Sequence, residues 1–213
     1  MHRHHTGHAG QPTRDWIQNL PAGHRSQYNS GDVIARPDSE ANCVFLINSG
    51  SARICLSAEH KELTLGQLKA GSLYVTHTRA WVEALETTET TRWPIQQLTS
   101  LIADTPELAL AAMREVGLIL YQATNLIEDL AFRSVESRLA RYLILEQQNQ
   151  QSSLIQLTGH TELLASLLGT SRQTLSTLIN RWIRDGLLEK PDRQSLRLLN
   201  PEQLQKMAEL SAR

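Results

Sequence analysis

The chain has 213 residues, which is enough for one large or two small domains, and its hydrophobic content of 40% suffices for ordinary cores. The net charge of −1 argues against a wholly basic coat for nucleic acid, although a sequence-specific DNA-binding protein can keep its positive charge local. Two cysteines, Cys43 and Cys55, are too few for a disulfide scaffold or a cluster with four thiolate ligands.

The N-terminal segment, residues 1–14, is polar and rich in histidine, with His2, His4, His5 and His8. This composition is typical of a disordered tail. The alternative is a segment that supplies a ligand to a metal or to haem iron. It has no apolar core like that of a secretion signal, and the chain has no apolar run long enough to span a membrane, so we expect a cytoplasmic protein.

Residues 15–104 consist of short alternating segments separated by turns, which predicts a small antiparallel sandwich or barrel. Asn48 to Ser51 is typical of a hairpin turn. The predicted strands cover residues 32–35, 43–47, 52–56, 62–65, 81–85 and 91–95.

Residues 105–131 predict one long helix, with Pro106 at a first-turn position. Its apolar residues repeat at intervals of three and four, close to a heptad, which favours a dimerisation helix over a buried core helix. A two-fold dimer would set two DNA-binding helices about one turn of DNA apart, on the order of 34 Å, and so favours a palindromic operator. The repeating residues are Leu110, Met113, Val116, Leu120, Ala123, Ile127 and Leu130.

Within residues 132–213, the stretch 161–188 predicts two short helices joined by a tight turn. Gly169 suits the end of the first helix and Ser171 the N-cap of the second. An Arg and a Gln at the start of a protruding helix suit contacts to guanine and adenine in the major groove. Residues 187–188 and 195–198 predict a hairpin or wing. The candidate DNA-binding residues are Ser171, Arg172, Gln173, Ser176 and Thr177.

A helical hairpin inside an all-helical enzyme is the alternative interpretation of that stretch. However, the chain shows no carboxylate pair, nucleophile elbow or metal-spaced cluster, so we predict that it is not an enzyme.

GTSRQTLSTLINRWIRDGLLE, residues 169–189, resembles the winged helix-turn-helix of the CRP/FNR family of bacterial transcription regulators. GDVIARPDSEANCVFLINSG, residues 31–50, is similar to the sensory jelly roll of the same family. The resemblance implies an α+β fold: an N-terminal jelly-roll β-barrel like that of cyclic-nucleotide-binding domains, a long dimerisation helix and a C-terminal winged helix-turn-helix. It also implies double-stranded DNA and RNA polymerase as partners of a homodimer.

The stretch from Lys61 to Glu86 resembles the haem-dependent carbon-monoxide-sensing branch of that family. This resemblance implies haem b with His77 as an axial ligand to the iron, and Met1 or His2 as a possible second axial ligand. Val75 stands where that branch has a cysteine. Ala112, Met113, Val116, Gly117 and Leu120 match the positions that line the gas pocket in that branch.

The family's best-known member binds cyclic AMP with a Gly-Glu pair and an Arg-Ser or Arg-Thr pair. Here Gly71 precedes Ser72 and Arg79 precedes Ala80, so cyclic AMP is disfavoured as the effector. Two alternatives stay open. The effector could be a non-haem small molecule, and His77 could be an ordinary histidine that caps a turn.

Overall fold

The computed structural model describes residues 14–37, 42–58, 61–76, 78–157, 161–192 and 194–209. In this part of the chain a short 3-10 helix, Arg14–Asn19, precedes the strands. A 26-residue helix comes after the strands, and the C-terminal domain combines helices with a small sheet. The fold is therefore α+β, and the predicted fold class is confirmed.

Two antiparallel sheets of four strands pack against each other in the N-terminal domain. Side chains of a strand point alternately to its two faces, and the inward-facing ones form the core between the sheets. Phe45 and Ile47 of one sheet meet Ile54 and Val82 of the other in this core. One sheet has the order β1 (His24–Tyr28), β8 (Thr88–Pro94), β3 (Cys43–Ser49) and β6 (Leu73–Val75); the other has the order β2 (Val33–Ala35), β7 (Trp81–Ala84), β4 (Ser51–Ala58) and β5 (Lys61–Lys69).

The hairpin between β3 and β4 turns at Gly50, whose φ of +80° lies in the left-handed region that favours glycine. A Cβ atom at this position would lie 2.3 Å from the carbonyl oxygen of Thr87. The predicted turn therefore needs glycine both for its backbone conformation and for the close approach of a neighbouring segment.

Two helices follow the sandwich, α1 (Leu98–Asp104) and α2 (Glu107–Phe132). Pro106 is the N-cap residue of α2. One side of α2 packs on the sandwich through Ala112 and Ile119, whereas another side stays uncovered in the single chain. The exposed apolar residues of α2 include Leu110, Met113, Val116, Leu120, Tyr121 and Ile127.

The C-terminal domain has a core of its own. Its helix α3 (Val135–Gln150) begins after Ser134, whose Oγ accepts a hydrogen bond from the N–H of Ser137 at 3.2 Å. Leu143 and Trp182 are buried at the centre of this domain. The further elements are β9 (Leu154–Gln156), α4 (Thr161–Leu167), α5 (Arg172–Arg184), β10 (Leu188–Glu189), β11 (Ser195–Leu198) and α6 (Pro201–Glu209), and the strands pair in the order β10-β11-β9.

Among the described helices, none combines the length and the apolar character that crossing a membrane requires.

Candidate DNA-binding surface and effector cavity

A tight turn joins α4 to α5. Gly169 has a φ of +59°, and the N–H of Thr170 donates to the carbonyl oxygen of Ala165 at 2.9 Å, which closes α4. Ser171 caps α5, because its Oγ accepts the N–H of Thr174 at 3.1 Å. The glycine and the cap together determine where α5 begins.

Helix α5 has one apolar, buried side and one polar side. Gln173 and Thr177 are exposed, and Ser176 is half-buried. The polar residues thus lie on the outer side of the helix, where hydrogen-bonding groups can reach another molecule. The buried side consists of Leu175, Leu178, Ile179 and Trp182.

Two cations on α5 form ion pairs with carboxylates of neighbouring helices. Arg172 Nη1 lies 2.7 Å from Glu162 Oε1, and both side chains are exposed. Arg181 pairs with Glu136 of α3. Solvent screens exposed pairs of this kind, so they contribute little to stability, and a phosphate or a base edge can compete for these cations.

The predicted wing is the antiparallel pair of β10 and β11. Asp192 in its turn accepts hydrogen bonds from the Ser195 hydroxyl at 2.6 Å and from the Gln194 N–H at 2.7 Å. These hydrogen bonds lower the pKa of Asp192, and the bond from Ser195 has the largest effect. Arg197 pairs across the strands with Glu189 at 2.7 Å. These interactions therefore stabilise the turn and the strand pair of the wing.

A cavity of about 450 Å³ lies between the sandwich and α2. Its polar residues are few: Tyr74, Thr78 and Arg79. The hydroxyls of Tyr74 and Thr78 lie 2.6 Å apart and share one hydrogen bond. Burial raises the pKa of Tyr74, so its phenol stays neutral. The apolar wall includes Val44, Ile54, Leu56, Leu65, Leu73, Val75, Leu108, Ile119 and Ala123.

Three of the helix residues predicted to line a gas pocket, Ala112, Val116 and Leu120, belong to this wall. Within the described residues, the wall includes neither Met113, which is 71% exposed, nor Gly117, where an added Cβ would meet open space. The other predicted ligands, Met1, His2 and His77, lie outside the described residues.

Sequence reasoning missed the paired hydroxyls of Tyr74 and Thr78 and the contribution of Ile54 and Leu65 to the wall. The alternation of β4 and β5 indicated inward-facing residues, but it did not indicate which of them face α2 rather than the opposite sheet.

The turn after β5 offers little to a phosphate. Ser72 is buried, its Oγ accepts the N–H of Lys69 at 3.1 Å, and its own N–H donates to the carbonyl oxygen of Lys69 at 2.8 Å. The hydroxyl oxygen and the N–H of Ser72 are therefore already used in hydrogen bonds within the turn. Nor do three or more His, Cys, Asp or Glu side chains converge as a metal site in the part of the chain that the structure describes.

Comparison with known families gives two matches. Residues 25–105 match the cyclic nucleotide-binding domain, and residues 137–207 match the Crp-like helix-turn-helix domain. No curated protein matches the chain significantly.

Several solved structures are similar over most of the chain. A double mutant of CooA from Carboxydothermus hydrogenoformans has 31% sequence identity and a TM-score of 0.75, with 87% of this chain and 88% of that chain covered. The reduced CO-sensing protein from R. rubrum has 26% identity and a TM-score of 0.52, with coverages of 87% and 90%. The c-di-GMP-responsive regulator CLP from Xanthomonas campestris shares the fold, at 22% identity and a TM-score of 0.74, with coverages of 87% and 96%.

The sandwich, the long helix and the capped helix pair thus agree with both domain matches and with a relative that is similar along nearly its whole length. The chain belongs to the CRP/FNR family of transcription regulators, a family of DNA-binding proteins rather than enzymes.

Proposed function

We propose that the chain is a homodimeric regulator that binds operator DNA through α5 and senses carbon monoxide, or another diatomic gas, through haem b bound by His77. The observation that carries this proposal is the apolar cavity beside α2, because its wall includes Val75, two residues before His77, and Thr78, the residue after it. The similarity to the CO-sensing protein of R. rubrum supports the same class of effector.

The chemistry of the cavity fits haem. Its volume of about 450 Å³ falls in the range of roughly 300–1,000 Å³ that is usual for ligand pockets. The apolar wall suits the faces of a flat macrocycle, and Arg79 offers a cation for an acidic side group. Tyr74 and Thr78 hydrogen-bond to each other, so each hydroxyl oxygen has a partner beside the apolar wall.

The residues of this chain have distinct roles in the proposed site. His77 would hold the iron through a neutral imidazole nitrogen, and Met1 or His2 would provide a second protein ligand. The haem iron would supply a binding site for a diatomic gas. Val116 and Leu120 belong to the side of the cavity that α2 contributes, so occupancy of the cavity favours one position of that helix over another.

The uncovered side of α2 supports a homodimer. Leu110, Met113, Leu120, Tyr121 and Ile127 are 57–71% exposed and recur along a 26-residue helix at nearly heptad spacing. Contiguous exposed apolar surface of this kind is typical of an interaction site. A second copy of the chain supplies the same stripe, and members of the family are dimers.

In the proposed complex with DNA, Arg172 and Gln173 contact base edges, and Ser171, Ser176 and Thr177 complete the polar surface. The Ser171 hydroxyl already caps α5, so its contribution is to position the helix on the DNA. A two-fold dimer then recognises a palindromic operator, with RNA polymerase as the further partner at the promoter.

Absorption spectroscopy tests the haem proposal. We expect hemin to give the wild-type protein a Soret band that shifts when CO is added after reduction. His77→Ala should lose the band, whereas His24→Ala, an exposed histidine outside the cavity wall, should keep it. A wild-type protein that takes up no hemin would refute the haem proposal without affecting the proposal of DNA binding.

Selection from a random-sequence DNA pool, followed by fluorescence anisotropy, tests the DNA-binding surface. Arg172→Ala should lose about 1–3 kcal/mol of preference for the selected sequence over random DNA. Arg114→Ala, an exposed arginine on α2, is the control and should keep the preference. Equal discrimination by wild type and Arg172→Ala would show that the assigned face is wrong.

One observation favours a second candidate, a regulator of the same family with a non-haem effector. The described part of the cavity wall contains no histidine or cysteine, and its cation, Arg79, could pair with a small apolar acid. A colourless wild-type protein that nevertheless binds a selected operator would favour this candidate.

A further inference from the structure

Strand β4 is buried on both of its faces. Ala52 and Ile54 point into the core, and Arg53 and Cys55 point the opposite way, yet these two are only 7% and 2% exposed. In an antiparallel sandwich the outer face of a strand normally meets water, which gives an alternating pattern. Another part of the molecule therefore covers the outer face of β4 and its neighbour β5.

Helix α4 of the C-terminal domain provides part of this cover, and helix α2 lies over another part of β5. The Oγ of Ser166 lies 2.9 Å from the Oγ1 of Thr64 on β5 and 3.4 Å from Nη1 of Arg53 on β4. All three residues are buried. The helix that precedes the DNA-binding helix is thus hydrogen-bonded directly to the N-terminal sheet.

The sheet side of this contact is held rigidly. Nη2 of Arg53 donates to Glu62 at 2.6 Å and to Glu83 at 2.9 Å, so neighbouring strands fix the guanidinium and balance its charge. Although burial alone would lower the pKa of Arg53, the bonds to the two carboxylates raise it. Arg53 therefore stays charged, and it presents Nη1 to Ser166 in one orientation.

The inner face of the same hairpin lines the effector cavity. Ile54 and Leu56 of β4 and Leu65 of β5 belong to the cavity wall. Ile54 follows Arg53 directly, and Leu65 follows Thr64. The backbone joins these successive residues and is stiff. When the strand moves to fit the cavity wall to its occupant, the side chains of Arg53 and Thr64 that bind Ser166 therefore move as well.

This contact leaves the DNA-binding side of α5 free. With Ser166 against the sheet, Gln173 and Thr177 remain exposed. The contact therefore fixes the orientation of the C-terminal domain without covering its polar surface.

We propose that Arg53, Thr64 and Ser166 are positioning residues: they dock the C-terminal domain on the outer face of the β4–β5 hairpin, and through this hairpin occupancy of the cavity sets the orientation of α5. The inference rests on the proposed function, since it takes the cavity as the effector site and α5 as the DNA-binding helix.

Thr64→Val and Ser166→Ala test the contact, because each removes one hydroxyl with little change in side-chain volume. Two quantities are measured in the full chain: amide hydrogen exchange in α4 without DNA, and affinity for the selected operator with and without CO. We expect faster exchange in α4 in both variants. The CO-dependent gain in affinity should fall by roughly twofold to thirtyfold. The double variant should match Ser166→Ala, because that substitution alone already breaks the bonds of Ser166 to both Thr64 and Arg53.

Thr90→Val is the matched control. Thr90 is fully buried on β8 of the other sheet, and its hydroxyl has no hydrogen-bond partner within the described residues. Thr90→Val should therefore leave amide hydrogen exchange in α4 and the CO-dependent gain in affinity unchanged.

Unchanged α4 exchange in both test variants would overturn the docking contact. Faster exchange combined with a wild-type gain in affinity would overturn its role in transmission. Failure of the proposed function has a different signature, a wild-type protein without a haem spectrum or without operator preference. Even if the proposed function fails, amide hydrogen exchange in α4 still tests the docking contact.

Discussion

Replacing Gly50 by alanine should destabilise the sandwich for two separable reasons. Its φ of +80° is a left-handed conformation that disfavours any side chain by about 1–2 kcal/mol. In addition, the new Cβ would lie 2.3 Å from the carbonyl oxygen of Thr87 and 2.8 Å from the Cα of Thr88. Both are backbone atoms, which cannot rotate away as the end of a side chain can.

Gly31→Ala separates the two effects. Gly31 has a similar φ of +87°, but a Cβ there would meet nothing within 4 Å. Steric crowding in a packed region adds about 1–3 kcal/mol to the conformational term. We therefore expect a loss of unfolding free energy of about 2–5 kcal/mol for Gly50→Ala and about 1–2 kcal/mol for Gly31→Ala.

Differential scanning calorimetry measures this difference. For a chain of 213 residues, each kcal/mol shifts the Tm by about 2–4 °C, so Gly50→Ala should melt roughly 2–12 °C below Gly31→Ala. Hemin uptake should fall in parallel, because β3 and β4 supply Val44 and Ile54 to the cavity wall. Equal melting temperatures for the two variants would refute the steric part of this reasoning.

Three further predictions concern other parts of the chain. Ser171→Ala removes the N-cap of α5 and should lower the unfolding free energy by about 0.5–2 kcal/mol in urea titrations. Ile127→Glu should shift the protein to a monomer in analytical ultracentrifugation, whereas Leu145→Glu, at an exposed leucine of α3, should not. Burial raises the pKa of Cys55 from 9.0 to about 11. The unfolded chain therefore loses this thiol proton at a lower pH than the folded chain, and the unfolding free energy should fall as the pH rises from about 9 to about 11. Cys55→Ala should flatten that decline.

The parts of the fold that were predicted from the sequence are those with strong local signals. Gly169 and Ser171 mark the end of α4 and the start of α5 by their own backbone and capping preferences. Strands β3 and β4 were predicted because their apolar residues are dense or alternate, although both extend beyond the predicted limits.

Elements whose stability comes from their neighbours were missed. Strand β1 has the sequence HRSQY and shows no apolar pattern, because it is an edge strand that pairs with β8 mainly through its backbone. Strand β9 has three residues and pairs with β11, about forty residues later. Helix α6 was also not predicted, and its buried residues Leu204 and Ala208 belong to the core of the C-terminal domain.

The candidate sites also differ in how far local sequence signals predict them. The polar outer side of α5 follows from the helical period alone, so Gln173 and Thr177 could be assigned to it in advance. The cavity and the docking contact depend on residues far apart in the chain, and Thr64 and Ser166 are separated by 102 positions. No local pattern relates such residues, and only the assembled fold shows that they meet.

Val116 and Leu120 of α2 belong both to the cavity wall and to the exposed apolar stripe. If a second subunit covers that stripe, subunit association also closes one side of the cavity to water. Ligand retention and self-association are then linked equilibria, and mass action makes each depend on the other. Dilution alone would loosen the ligand, so the colour of a haem-loaded sample would depend on protein concentration.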